Sequence, residues 1–434
     1  MKITFLRPSM TGKQSSDALK PLVFSILYGL TPDEVTTAFY DECKEILPDT
    51  IDGDAVVFSV ETLAAKRTYA LARQYKQANP LLKVIMGGFH PTTVPDEAQL
   101  HADSIVIGDA EAVWGNLITD LQNDALKPVY ASSNGLMRSF WKPDHSIFDG
   151  KKYAKIGVVQ WKRGCIHSCN FCSIQAFYKS CVAEREISDV INEISNLKEK
   201  VIFIADDNLL HDKAKLKVFL RELAPLKKKW GCQISINVAK DHETLGLMKK
   251  SGCIIAIVGF ESLNDAVLTE IGKKQRAEDY DNAVRIINSY GIMLYATFIF
   301  GYPNDTLESF SRVHDFVMKH RMAITNFNPL MVMPGTSLYD ELRAQDKLID
   351  PAWWLSEDYN YGDATHYPDL MTSKQLAEGC KKLRYKFYSL RSILWRALKP
   401  VNIKHLLVFS LINAVSYIEI RRKQRIKHGG CCQQ

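Results

Sequence analysis

Short apolar runs separated by helical patterns constrain the fold of this 434-residue chain more than any other feature. In the first 130 residues, runs at 3–6, 35–40, 55–60, 84–86 and 104–107 alternate with helix-like stretches at 19–30, 63–77, 96–100 and 110–121. Further runs at 154–164, 201–208, 232–239, 253–262, 292–303 and 324–336 alternate with helix patterns at 187–199, 213–229, 242–250, 277–290 and 307–320. Strand, helix, strand, repeated in series, predicts parallel sheets covered by helices, an α/β fold. Ligands of such sheets bind beyond the carboxyl ends of the strands. The loops that follow the strands are therefore where function is to be sought.

The opening MKITFLRP lacks a cleavage site and is too short for a signal peptide, so it reads as a strand. The most apolar late stretch, 405–418, falls short of the ~20 residues that span a bilayer. These features predict a cytoplasmic protein. The net charge of +6 draws on a basic tail, Arg421, Arg422, Lys423, Arg425 and Lys427, not on a basic surface throughout. That pattern gives no indication of nucleic-acid binding and fits a solvated helix end, an acidic partner or peripheral contact at the inner membrane face. Ten cysteines in a cytosolic chain are expected to be free thiols or metal ligands.

Three of those cysteines sit in WKRGCIHSCNFC, at Cys165, Cys169 and Cys172. A structural zinc site closes with four ligands, commonly two Cys-x2-Cys pairs. Here the spacing is Cys-x3-Cys-x2-Cys, with no second pair nearby. Three thiolates suit a [4Fe–4S] cluster that keeps one iron open. Cys181 lies outside the tight loop and reads as a free thiol. The spacing, with Phe171 before the last cysteine, is the signature of the radical S-adenosylmethionine (SAM) superfamily. That resemblance implies that Cys165, Cys169 and Cys172 hold the cluster and that the open iron binds SAM. It also implies reductive cleavage to a 5′-deoxyadenosyl radical and a partial (β/α)6 barrel over 151–345.

A second resemblance lies upstream. MGGFHPTTVPDEAQLHADSIVIGDAEAVW is similar to the cobalamin-binding domain that precedes one class of radical SAM enzymes. It implies a doubly wound, Rossmann-like domain over 1–130, with Gly87, Gly88, His90, Gly108 and Glu111 around the cobalamin. No Asp-x-His-x-x-Gly is present to supply a lower histidine ligand to cobalt. Residues 131–150 read as a linker and 346–434 as a mostly helical region. Within the barrel, the family pattern places SAM against Asp206, Asn237, Glu261 and Gly301. Asp206 as a helix cap and Glu261 as a partner of Lys273 are the structural alternatives. Trp353, Trp354, Tyr359 and Tyr361 would line either a substrate pocket or an interdomain core.

Taken together, the resemblances imply a cobalamin-dependent radical SAM enzyme, a C-methyltransferase that delivers a methyl group from methylcobalamin to an unactivated carbon. Cyclisation, oxidation or rearrangement on the same modules is the enzymatic alternative; a non-catalytic cobalamin or redox sensor is the alternative of another class. The expected cofactors are a [4Fe–4S] cluster, SAM and cobalamin. The expected partners are a small-molecule or lipid-like substrate and an electron donor such as flavodoxin or ferredoxin.

Overall fold

A computed structural model describes residues 1–15, 19–132 and 143–423. Cys431, Cys432, Arg425 and Lys427 lie outside the described residues. Strands β1 (Lys2–Arg7), β2 (Thr36–Asp41), β3 (Ala55–Ser59), β4 (Lys83–Gly87), β5 (Ser104–Ile107) and β6 (Val129–Ala131) form one sheet. They pair in parallel in the order β2-β1-β3-β4-β5-β6. β6 was not legible in sequence because three residues are too few to show a period.

Successive side chains in these strands point to opposite faces. Ile3, Phe5, Val57, Ile85 and Val106 pack under the helices Leu22–Leu30 and Trp114–Gln122. Leu6, Val56, Phe58, Met86 and Ile105 belong to the core that takes in the helix Ala65–Ala78. Each such side chain, fully buried, contributes about 1.5–3 kcal/mol. The expected linker is partly core: Phe148 is buried against Phe39, with ring centroids 5.6 Å apart.

The second sheet joins β7 (Ile156–Val159), β10 (Val201–Ile204), β11 (Lys229–Gln233), β12 (Cys253–Glu261), β13 (Met293–Phe300) and β14 (Ile324–Pro329). All six are parallel and in series, as a partial barrel requires. A short antiparallel ribbon, β8 (Lys162–Arg163) with β9 (Ala183–Glu184), brackets the cysteine loop. The sequence reading placed the third barrel strand too late. β11 begins at Lys229, and Ser235 instead caps a 3-10 helix, Ile236–Lys240, by accepting from the Asn237 amide. Alternating Ile234, Ile236 and Val238 imitate a strand there, and all three are buried.

Trp353, Trp354 and Tyr359 are buried, which supports the interdomain-core reading. Trp354 Nε1 donates to Glu97 Oε1 at 3.0 Å, tying the C-terminal region to the first sheet's domain. The helices Ser373–Phe387, Leu390–Ala397, Pro400–Lys404 and Leu406–Lys423 follow. Among the described residues no helix is long and apolar enough to cross a membrane.

Candidate active site

The cysteine loop is fixed at both ends. Asp207, just past β10, accepts from the Gly164 amide at 2.7 Å. The far side of the loop is held by the Asn170 carbonyl, which accepts from the Leu338 amide at 3.1 Å. This assigns a task to the MPGTSLY segment: it steadies the loop from the end of the barrel. Phe171 meets Tyr302 edge-on at 6.0 Å.

All three thiols are free, and Cys169 is buried. Burial pushes the Cys169 thiol up to about 11, and Cys172 and Cys165 push it further in the same direction. Cys165 and Cys172 are likewise raised by burial. The three sulfurs thus sense one another, yet the described residues contain no His, Cys, Asp or Glu trio set to hold a single ion. Cys181 is free and exposed, with its carbonyl packed against Gly164 at the entry to the loop.

Glu261 stands at the end of β12 in the left-handed region, φ 62°, where the pairing with β13 shifts register. Non-glycine residues held there are strained, and such strain gathers at functional sites. Glu261 Oε1 pairs with Lys273 Nζ at 2.9 Å, the partner anticipated from sequence. A Cβ at Gly259 would lie 2.2 Å from Glu261 Oε1, so the glycine of GFES makes room for the pair. Lys273 is also close enough to Cys169 and Cys172 for them to favour its charged form. The same ammonium therefore eases ionisation of the buried thiols. Sequence reasoning named Lys273 only as an alternative partner for Glu261.

Asp206 is buried and accepts from the Trp161 amide at 2.8 Å, which ties β10 to β7; its second oxygen has no protein partner. Burial raises its carboxyl to about 7. The folded state therefore holds a proton that the unfolded chain releases near pH 4. The contribution of Asp206 to stability should fall as pH rises from about 4 to 7 and then level off. Asp206→Asn is expected to flatten that slope in a denaturation series across this range; an unchanged slope would contradict it.

Asn208 Oδ1 accepts from the amides of Leu210 and Ser235, and its side chain is one of the groups that oppose the upward shift of the Cys165 thiol. Asn237 is not on a barrel strand. It borders a small separate cleft with Gln275 and Arg276, because the strand ends before it. Gly301, φ 107°, is enclosed by the chain itself. Its carbonyl accepts from His366 at 2.9 Å, and a Cβ there would lie 2.6 Å from Leu376. The close approach that glycine permits is filled by the C-terminal region.

A cavity of about 710 Å³ lies between the carboxyl edges of the two sheets. On one side it is bounded by the segments after β1, β3, β4 and β5, including Ser9, Glu61, Gly88 and Gly108. On the other it meets Gln160, Arg163, Phe177 and Asp207. The order β2-β1-β3-β4-β5 reverses between β1 and β3, the place where doubly wound sheets bind their ligands. Ser9 Oγ and Asp109 Oδ2 are buried at the lining with no protein partner, so both are available to a ligand.

Arg163, two residues before Cys165, lines this cavity. Its Nη1 reaches Asp109 Oδ1 at 2.7 Å and Glu111 Oε1 at 2.9 Å. Tyr178 donates to Asp109 at 3.2 Å. Glu111, expected at the cobalamin, is thus also half of a clamp between the first domain and the cluster loop. Gly88, φ 108°, packs tightly on β3, where a Cβ would meet the Val60 carbonyl at 2.9 Å. Gly87 ends β4 against Val106 and is not among the lining residues. His90 does not face the cavity. It is fully buried, with Nε2 2.8 Å from Tyr69 Oη and 3.1 Å from Glu97 Oε1. Its ring steadies the loop from beneath.

Comparison with known proteins decides what this arrangement is. Residues 159–317 match the radical SAM superfamily, and residues 33–118 match the B12 binding domain. The bacteriochlorophyllide d C-12(1)-methyltransferase of Chlorobaculum tepidum is 30% identical over 88% of this chain and 86% of its own. This chain belongs to the cobalamin-dependent radical SAM enzymes. The hopanoid C-2 methylase of Rhodopseudomonas palustris is 25% identical over 76% of this chain and 66% of its own. Among solved structures, the cobalamin-dependent SAM radical enzyme OxsB, with aqua-cobalamin and SAM bound, superposes with a TM-score of 0.69. It is 14% identical and covers 96% of this chain and 72% of its own. The methyltransferase TsrM from Kitasatospora setae gives 0.63 at 16% identity, covering 79% and 75%.

The residues present fit the cofactors of a cobalamin-dependent radical SAM enzyme. Three desolvated thiols beside Lys273 suit a [4Fe–4S] cluster held by Cys165, Cys169 and Cys172. The strained Glu261 borders the same loop and suits SAM. The cavity, with its unpartnered Ser9 and Asp109 atoms, suits cobalamin.

Proposed function

We propose that this enzyme methylates an unactivated carbon of a small-molecule or lipid-like substrate held in the cavity between the two sheets. The observation that carries this reading is that one cavity is walled by the B12-domain loops and by the residues that frame the cluster loop. Bound together, the three cofactors supply a hydrogen-abstracting radical and a transferable methyl group. The protein's own share is positioning. Arg163 holds the loop of Asp109 and Glu111 against the approach to Cys165. Phe89 and Phe177, 4.7 Å apart, form an apolar wall where the two domains meet. Lys273 balances charge between Glu261 and the thiolates. Such fixed geometry converts encounters into an effectively unimolecular reaction.

Two of the relatives are named for methyl transfer to a bacteriochlorophyllide and to a hopanoid, which supports a polycyclic substrate. A flavodoxin or ferredoxin is the proposed electron donor. Ring closure is the competing reading, because the anaerobic magnesium-protoporphyrin IX monomethyl ester cyclase of Rubrivivax gelatinosus is 24% identical over 82% of the chain. The test is anaerobic turnover with methyl-deuterated SAM and candidate polycyclic substrates. A product bearing the labelled methyl group supports methylation, and a dehydrogenated product without label would establish ring closure instead.

A further inference from the structure

The last helices carry an apolar surface on the side that faces away from the protein. In the helix Leu406–Lys423, Phe409 and Asn413 are buried, whereas Leu407, Leu411, Val415 and Ile418 are exposed. Leu407 is 74% exposed. No charged residue interrupts the sequence between Lys404 and Glu419 apart from the neutral-to-cationic His405. A helix docked on its own core shows a polar outer face; this one is apolar on both. The helix Leu390–Ala397 repeats the pattern, with Leu390, Leu394 and Trp395 exposed.

The outer faces of these two helices turn away from one shared anchor. Arg396 is buried and donates to the Asn413 side chain at 2.9 Å and to the Ala323 carbonyl at 2.8 Å. Charge adds a second, independent observation. Residues 384–423 hold nine lysines and arginines against a single acid, Glu419, while residues 1–383 carry a small acidic excess. Arg391 and Arg422 are exposed on the two helices that carry the apolar face, and Lys386 and Lys404 are exposed on helices next to them in sequence.

We propose that this face docks onto an anionic lipid bilayer, lying in the interface without crossing it. Exposed leucines with a tryptophan would enter the headgroup boundary, and the flanking cations would meet lipid phosphates. The helix is about 27 Å long and is docked on the protein through Phe409 and Asn413, so it presents only its outer face and lies flat. The position of the face has a consequence. Arg396, Asn413 and His405 grip the carbonyls of Ala323 and Gly291, just before β14 and β13 begin. The docking face is therefore at the amino end of the barrel strands, opposite the cavity. Docking would place the enzyme on a membrane and leave its active cavity facing away from it.

The full-length protein would be sedimented with phosphatidylcholine vesicles and with vesicles containing one quarter phosphatidylglycerol. Co-sedimentation with the anionic vesicles is expected, weakening as salt is raised. Leu407→Glu with Leu411→Glu, both at exposed positions, should weaken vesicle binding by roughly tenfold or more. Its melting temperature and cofactor content should be unchanged, since the face is remote from the cavity. Failure to bind anionic vesicles, or equal binding by the double variant, would overturn the proposal. So would a stable dimer in lipid-free solution that the double variant dissociates, because the face would then belong to a second copy of this chain.

Discussion

Cys169→Ala is expected to abolish SAM cleavage and to lower bound iron sharply from about four per chain. Cys169 is the buried member of the trio, packed against the loop that carries Gly272 and Lys273. Removing it leaves two thiolates, too few to retain a cluster with an open iron. Cys181→Ala is the matched control. Cys181 is exposed and lies nine residues beyond Cys172 in sequence, so cluster content and cleavage should stay near those of the unmodified protein. Anaerobic iron and sulfide analysis, paired with an assay for 5′-deoxyadenosine, reads both. Full cleavage in Cys169→Ala would contradict the cluster assignment.

The second large effect falls on Arg163. Its guanidinium is nearly buried, and Asp109 and Glu111 beside it are more so. Burial disfavours its charge, but the two carboxylates hold it in the charged form. Arg163→Met leaves two buried carboxylates without their cation, and breaking such a pair from one side costs about 3–5 kcal/mol. A lower unfolding midpoint is therefore expected, together with weaker cobalamin retention after desalting. Cluster content should fall less, because the three thiols and the Asp207 contact to Gly164 remain. Arg163→Lys should restore part of the stability but not the bridge to both acids. A variant as stable and as cobalamin-loaded as the parent would mean that the clamp is incidental.

The two kinds of site residue differed in how readable they were. The cluster cysteines lie within eight residues of one another, so spacing alone discloses them. The alternation of apolar runs with helical patterns likewise disclosed both parallel sheets, since strands covered on both faces read as continuous apolar runs. The clamp could not be found this way. Arg163 meets Asp109 and Glu111 from more than fifty positions away, and only the folding of one sheet against the other joins them. Its nearest sequence signal was its place two residues before the first cluster cysteine.

His90 and Gly301 show the opposite difficulty. Each falls in a stretch that resembles a cofactor loop, but tertiary packing uses them internally. His90 is enclosed by Tyr69, Glu97 and Trp354, and Gly301 is covered by His366 and Leu376. Three of those partners come from the region after residue 350, whose packing has no local period to betray it. Glu261 illustrates a double use. The salt bridge to Lys273 anticipated from sequence is present, and the residue still sits strained at a strand end beside the cluster loop.

The most direct measurement is anaerobic reconstitution of the full-length protein with iron, sulfide and hydroxocobalamin, followed by metal and corrinoid analysis after desalting and an assay for reductive SAM cleavage. About four irons and one cobalamin per chain, with 5′-deoxyadenosine formed on reduction, is the result predicted. A protein that takes up the irons and cleaves SAM but retains no cobalamin would contradict the claim that its two halves share one active site.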